Sequence, residues 1–213
     1  MTKIDEKTAL LDEYIAQYHP IIICINYVNE HIPTDFVYMS NMRRYEYWKN
    51  NPAYIKHRKI LVSNIRTVPE DEEKEIIISF NKLVKCGWEH IDNSGLMALR
   101  LLDNFEVNSI GIVGFDGYSY SKKSNYASED LELANVREYP TIINKEISSM
   151  LNDFFETRKQ KSPIVFVTKS RFADLTENIT PPQQHKYALK HILFEFNVAI
   201  DSIIEKVYKA VAA

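Results

Sequence analysis

Cysteine is scarce. Cys24 and Cys86 are the only two in 213 residues, too few for a disulfide framework or a thiolate metal site. Cys24 lies inside the apolar run IIICINY and reads as a small buried core residue. A dominant charge is lacking as well. The 26 Lys and Arg oppose 29 Asp and Glu, with both signs interspersed, for a formal net charge of -3. That balance excludes the basic footprint of a nucleic-acid binder. No apolar run approaches the roughly 18 residues that a membrane span requires, and no basic-apolar leader opens the chain. The expectation is a soluble, cytoplasmic protein with no nucleic-acid or membrane partner.

Glycine is rare too, five in all, with eight prolines. That argues against disorder, and no repeat or low-complexity tract occurs. Among motifs, the dinucleotide fingerprint, the phosphate-binding loop ending in Gly-Lys-Ser/Thr and the Gly-x-Ser-x-Gly elbow are all missing. The six histidines (His19, His31, His57, His90, His185 and His191) show no metal-ligand spacing. No metal and no cofactor are expected.

What is present is an alternation of apolar runs and amphipathic segments. Leu10, Leu11, Tyr14, Ile15 and Tyr18 form one helical stripe over Ile4–Tyr18, ended by Pro20. PIIICINY reads as a parallel strand covered on both faces. DFVYMS, KILVSNI, EIIISF, SIGIVGFD and PIVFVT are further strands. Helices are expected over NMRRYEYWKNN, over DNSGLMALRLLDNFEV, and over Thr141–Lys159 with Ile143, Ile147, Met150, Leu151 and Phe154 inward. RTVPEDEEKE is most simply a solvated charged loop. A last long helix, opened by Pro181 and Pro182, carries apolar residues on more than one stripe and should bury two sides.

Strands alternating with helices predict an α/β fold: a mainly parallel, doubly wound, Rossmann-like sheet of about five or six strands flanked by helices. The expected domain covers 1–178, with a helical extension over 179–213. The helix before the first strand would normally be the crossover from an earlier strand. Its position predicts an unfilled sheet position beside IIICINY, or a longer protein of which this is the tail.

Open parallel sheets bind ligands beyond the carboxyl ends of their strands. Three such ends are polar here. Asn26, Asn29 and Glu30 follow the first strand, and Ser40, Asn41, Arg43 and Arg44 the second. Asp116, Tyr118 and Tyr126 follow the fifth. The start of the DNSG helix, near Ser94 and Gly95, adds backbone N–H groups suited to an anion. Each feature has a plainer explanation. Asn26 can satisfy a loop backbone, DNSG is an ordinary helix cap, Asp116–Gly117 can be a turn, and Arg43 and Arg44 are usually solvated.

Taken in order, CINY, DFVYMSN, NSGLMALRLL, NSIGIVGFDGYS and PIVFVTKSRF resemble the bacterial sialyltransferases of glycosyltransferase family 42. They resemble more closely the C-terminal domain of large bacterial 4-hydroxy-2-oxovalerate aldolase-like proteins. The resemblance spans roughly Ile21 to Phe172. It implies that Asn26 contacts a nucleotide-sugar, that Ser94 and Gly95 bind a cytidine nucleotide phosphate or a carboxylate, and that Tyr118 and Tyr126 hold the leaving phosphate. A phenol suits that place, because it donates to developing negative charge. The histidine that such transferases use as base has no counterpart in REYPTIINKE, so no catalytic residue is assigned. The resemblance thus implies a nucleotide-sugar or sugar-acid ligand in bacterial surface-carbohydrate biosynthesis. The implied partner is an upstream aldolase domain. A non-catalytic docking or oligomerisation module, with a homo-oligomer formed through the C-terminal helix, is the alternative.

Overall fold

Tyr14 and Tyr18 pack with tilted rings, centroids 4.7 Å apart, on the half-buried stripe of helix α1 (Lys3–Tyr18), while Leu10 stays exposed beside it. The computed structural model describes residues 3–28, 30–90, 92–120 and 139–175. Helix α1 stops where His19 turns to a left-handed φ of 45°, followed by Pro20, which cannot continue a helix.

Four strands then form one parallel sheet in chain order: β1 (Ile23–Ile25), β2 (Phe36–Met39), β3 (Arg58–Val62) and β4 (Glu75–Ile78). The register pairs Cys24 with Val37, Tyr38 with Ile60, and Leu61 with Ile77. Between β2 and β3 lie α2 (Met42–Trp48) and α3 (Pro52–Ile55). The side chains of Asn41 and Asn51 cap them by accepting the N–H groups of Arg44 and Ala53.

All four residues of β2 are buried, so both faces of the strand are covered. Successive side chains point to opposite faces. Val37 and Met39 join Leu61, Tyr45, Ala53 and Tyr54 under α2 and α3. Tyr38 and Ser40 face the other way, where Tyr38 feels the charges of Asp92 and Arg100.

After the short α4 (Phe80–Leu83) come α5 (Ser94–Leu102), β5 (Ile110–Ile112), α6 (Pro140–Thr157), β6 (Ile164–Phe166) and a 3-10 turn over Ala173–Leu175. Strands β5 and β6 pair in parallel as a second, two-stranded sheet. The expected inward residues of α6 are all buried, against Leu96 and Leu99 of α5 and against Ile164 and Phe172. Leu151 is fully buried in this apolar core, and truncating it to Ala is expected to cost about 2–5 kcal/mol.

The α/β class and the parallel pairing are as expected. The single sheet is not what is observed, since the six described strands divide four and two. Both β1 and β5 are only three residues long, and Gly111 in the middle of β5 supplies no side chain to pack. A Cβ at Gly111 would come within 2.8 Å of the Tyr14 ring, so α1 lies directly on that strand. Strand β1 is an edge: it pairs with β2 alone among the described residues, and Ile25 is 39% exposed. It is therefore not covered on both faces as its composition suggested.

Three further expectations need correction. Cys24 is half-buried rather than buried. Arg44 is buried, not solvated, because α2 turns it inward behind Asn41. The charge run is partly structural: Glu75 opens β4 and accepts from Arg66 at 3.0 Å, and Arg66 also bonds Glu70 and the Tyr45 hydroxyl. Lys59, paired in register with Glu75, is buried as well, and desolvation lowers its pKa. The C-terminal helix expected over 179–213 lies outside the described residues.

Candidate functional site

Asn26 is the first residue after β1, and it sits at φ 54°, a left-handed conformation that asparagine tolerates better than most residues. Its N–H donates to Tyr38 O at 2.8 Å, which extends the β1–β2 ladder by one bond. Its side-chain amide is used at both ends. Oδ1 accepts the Ser40 N–H at 3.1 Å, and Nδ2 donates to Ser94 Oγ at 2.7 Å. One amide thus holds together the end of β1, the end of β2 and the start of α5.

The N-terminus of α5 is capped by Asn93, whose Oδ1 accepts the Gly95 N–H at 2.7 Å. Gly95 has a packing reason to be glycine. A Cβ there would stand 2.8 Å from Phe115 Cε2 and 3.0 Å from Asn93 Oδ1. The ring that rests on it belongs to the loop after β5, so that loop also reaches the start of α5.

Four side chains and two glycines shape this loop. Gly114 donates its N–H to Thr168 Oγ1 at 3.1 Å, and Ser170 Oγ donates to Phe115 O at 2.5 Å. Asn144 on α6 is buried and clamps Tyr118 from both sides, Oδ1 accepting its N–H and Nδ2 donating to its carbonyl, each at 2.8 Å. The Oδ1 atom of Asp116 is buried within the loop. Gly117 adopts φ 78°, and a Cβ on it would lie 2.5 Å from Arg171 Cδ and 2.9 Å from Asn144 Oδ1. Gly117→Ala therefore combines an unfavourable φ with a steric clash. It is expected to lower stability by about 1–3 kcal/mol in a urea melt.

The approach to α5 is fastened separately. Residues 85–90 run along one face of α6, using acceptors spaced three and four residues apart. Lys85 Nζ donates to the Asp153 carboxylate at 2.6 Å, and Trp88 Nε1 to Ser149 Oγ at 3.1 Å. Glu146 accepts the N–H groups of Glu89 and His90 at 2.6 and 3.1 Å and meets the His90 ring at 2.5 Å. Desolvation pushes the Glu146 pKa up, but the His90 and Glu89 contacts outweigh it and the net shift is below the ordinary 4.5. Because the folded value is depressed, this contribution to stability is present above about 4.5 and is lost as pH falls through the folded value. Glu146→Gln should accordingly flatten the acid limb of a melting-temperature profile between about pH 6 and pH 3.

Beneath the start of α5 lie two buried hydroxyls on one face of β2. Burial drives the Tyr38 phenol well above its ordinary pKa, tempered by the neighbouring Ser40 hydroxyl. The two approach each other outside good hydrogen-bonding geometry, and among the described residues neither Tyr38 OH nor Ser40 Oγ has another partner.

Of the residues singled out from the sequence, Asn26, Ser94 and Gly95 are brought together, with Asp116 one residue from the ring on Gly95. Tyr118 is in the same loop, but its ring packs against the α5–α6 core. Tyr126 lies outside the described residues. Sequence reading missed Asn144, Thr168, Ser170 and Arg171. Asn144 carried a signal: it stands three residues before Ile147 and seven before Leu151, a polar residue on an apolar stripe.

Among the described residues, no group of three or more His, Cys, Asp or Glu gathers as a metal site, and no helix is long and apolar enough to cross a membrane. Comparison with family models, curated proteins and solved structures finds no match to this chain.

Proposed function

We propose that this chain binds a nucleotide-sugar or sugar acid where the ends of β1 and β5 meet the start of α5. We further propose that the two sheets are halves of one doubly wound arrangement, with the switch in strand order between β1 and β5. Ligands of open α/β sheets bind at such a point. The observation that carries the proposal is the Asn26 amide, bonded to Ser40 and Ser94 from a left-handed backbone. It fixes two strand ends and a helix N-terminus as one unit, a pre-organised platform for an anionic group. Association with an aldolase-type domain in bacterial surface-carbohydrate biosynthesis rests on the motif resemblance alone. No residue is assigned as a base, so binding and orientation are the roles proposed.

In this account Asp116 receives hydrogen bonds from a sugar hydroxyl. Asp116→Asn is expected to weaken binding of a cytidine nucleotide-sugar about tenfold by calorimetry, through loss of one charge-assisted bond. Unchanged affinity would remove Asp116 from the site.

A second reading, a docking or oligomerisation module, is favoured by one specific observation. Among the described residues β1 pairs with β2 alone, and exposed strand edges invite pairing with another chain. Sedimentation distinguishes the two, since a docking module should self-associate or capture an aldolase domain without needing a small ligand.

A further inference from the structure

Loop 168–172, after β6, brings a cation to the same edge. Ser170 Oγ donates to Phe115 O and accepts the Phe172 N–H at 3.1 Å, Thr168 is buried under Gly114, and Phe172 is 1% exposed in the core. Arg171 stands between these fixed points. Its Cγ and Cδ lie on Gly117, at 2.9 and 2.5 Å from where a Cβ would be. Only glycine leaves room for that stem. The residue is exposed, and among the described residues its guanidinium makes no hydrogen bond or ion pair. An arginine whose methylenes are held while its head faces water loses little further freedom on meeting an anion.

The placement matters because loop 115–117 is shared. Phe115 rests on Gly95 in the first turn of α5, and two residues later Gly117 supports Arg171. The nine-residue α5 presents the positive end of its dipole beside Phe115 of this loop, and the Arg171 stem lies on Gly117 of the same loop. Ser40, 7% exposed and tied to Ser94 through the Asn26 amide, adds a buried hydroxyl that has no good partner among the described residues. Asp116 is the acidic member of the loop and suits hydroxyls rather than anions. We propose that Arg171 recognises the anionic group, carboxylate or phosphate, of the ligand bound at this edge, with the first turn of α5 as the second point of contact. The role rests on the binding site proposed above. Arginine suits it because its planar fork of donors matches either oxyanion in a bidentate pair.

The test is calorimetry on the full chain at low salt, with cytidine 5′-monophosphate as probe and cytidine as its uncharged control. Arg171→Met keeps a stem on Gly117 and removes the charge, while Arg171→Lys restores a cation without the fork. The expected result is about 10- to 100-fold weaker binding of the monophosphate by the Met variant. Cytidine affinity should not change, the Lys variant should be intermediate, and melting temperatures should match the parent. Equal monophosphate affinity in parent and Met variant overturns the role of Arg171 and leaves the site intact. Equal weakening for cytidine and its monophosphate also overturns it, since a structural effect does not distinguish charge. Absence of binding by the parent to either probe overturns the site itself and Arg171 with it.

Discussion

Replacing Asp92 by Ala is expected to destabilise the chain by about 3–5 kcal/mol. The Asp92 side chain is fully buried, and Arg100 beside it is 15% exposed. Asp92 accepts from both terminal guanidinium nitrogens (Nη1 and Nη2) of Arg100, from the Lys85 N–H at 2.8 Å and from the Asn93 N–H at 2.9 Å. Arg100 also donates to Leu83 O at 3.0 Å, which joins α4, the following loop and α5 in one network. Truncation leaves a mostly buried cation and two backbone donors without their acceptor. Against a total stability of about 5–15 kcal/mol, that is a large fraction. A urea melt measures it directly. The double variant Asp92→Ala, Arg100→Met should recover part of the loss, because removing both charges avoids the stranded one. A single-variant cost below about 1 kcal/mol would show that the pair is solvated, in conflict with the burial described.

Asn144→Ala comes next, with an expected cost of about 2–4 kcal/mol. Asn144 is 5% exposed and makes both of its bonds to the backbone of Tyr118. Alanine removes both of these bonds to the half-buried Tyr118 backbone and opens space beside Gly117. The consequence is local as well as global. Hydrogen exchange of the Tyr118 amide should rise more than the change in global stability accounts for, because loop 114–118 loses its fastening to α6. If Tyr118 exchange rises only in step with amides in the middle of α6, the clamp is not a separate element.

How far the sequence announced these features depends on the range over which each is decided. Helix faces are local. Ile143, Ile147, Met150, Leu151 and Phe154 declared their side of α6, and DNSG, read as an ordinary helix cap, supplies the Asn93 that caps α5. The polar strand ends were legible for the same reason: a strand rich in Ile that stops at Asn26 shows where its carboxyl end lies. Partnership is not local. Whether Arg44, Lys59, Arg66 or Asp92 is buried depends on what packs over it, and composition alone counts each as a surface charge. The split of the sheet was hidden because apolar runs such as IIICINY promise more strand than backbone pairing delivers. Only Ile23–Ile25 of that run forms regular strand. Gly95 was read as a helix start and Gly117 as a turn, yet the close packing at each comes from Phe115 and Arg171, distant in sequence.

The most direct test of the binding site is an amide-shift titration of the isotopically labelled chain with cytidine 5′-monophosphate. The account predicts that the largest shifts cluster on Asn26, Ser40, Ser94, Gly95, Asp116, Tyr118 and Arg171, and that residues of β4 and the N-terminal half of α1 stay still. No saturable shifts, or saturable shifts centred away from the meeting point of β1, β5 and α5, would contradict it.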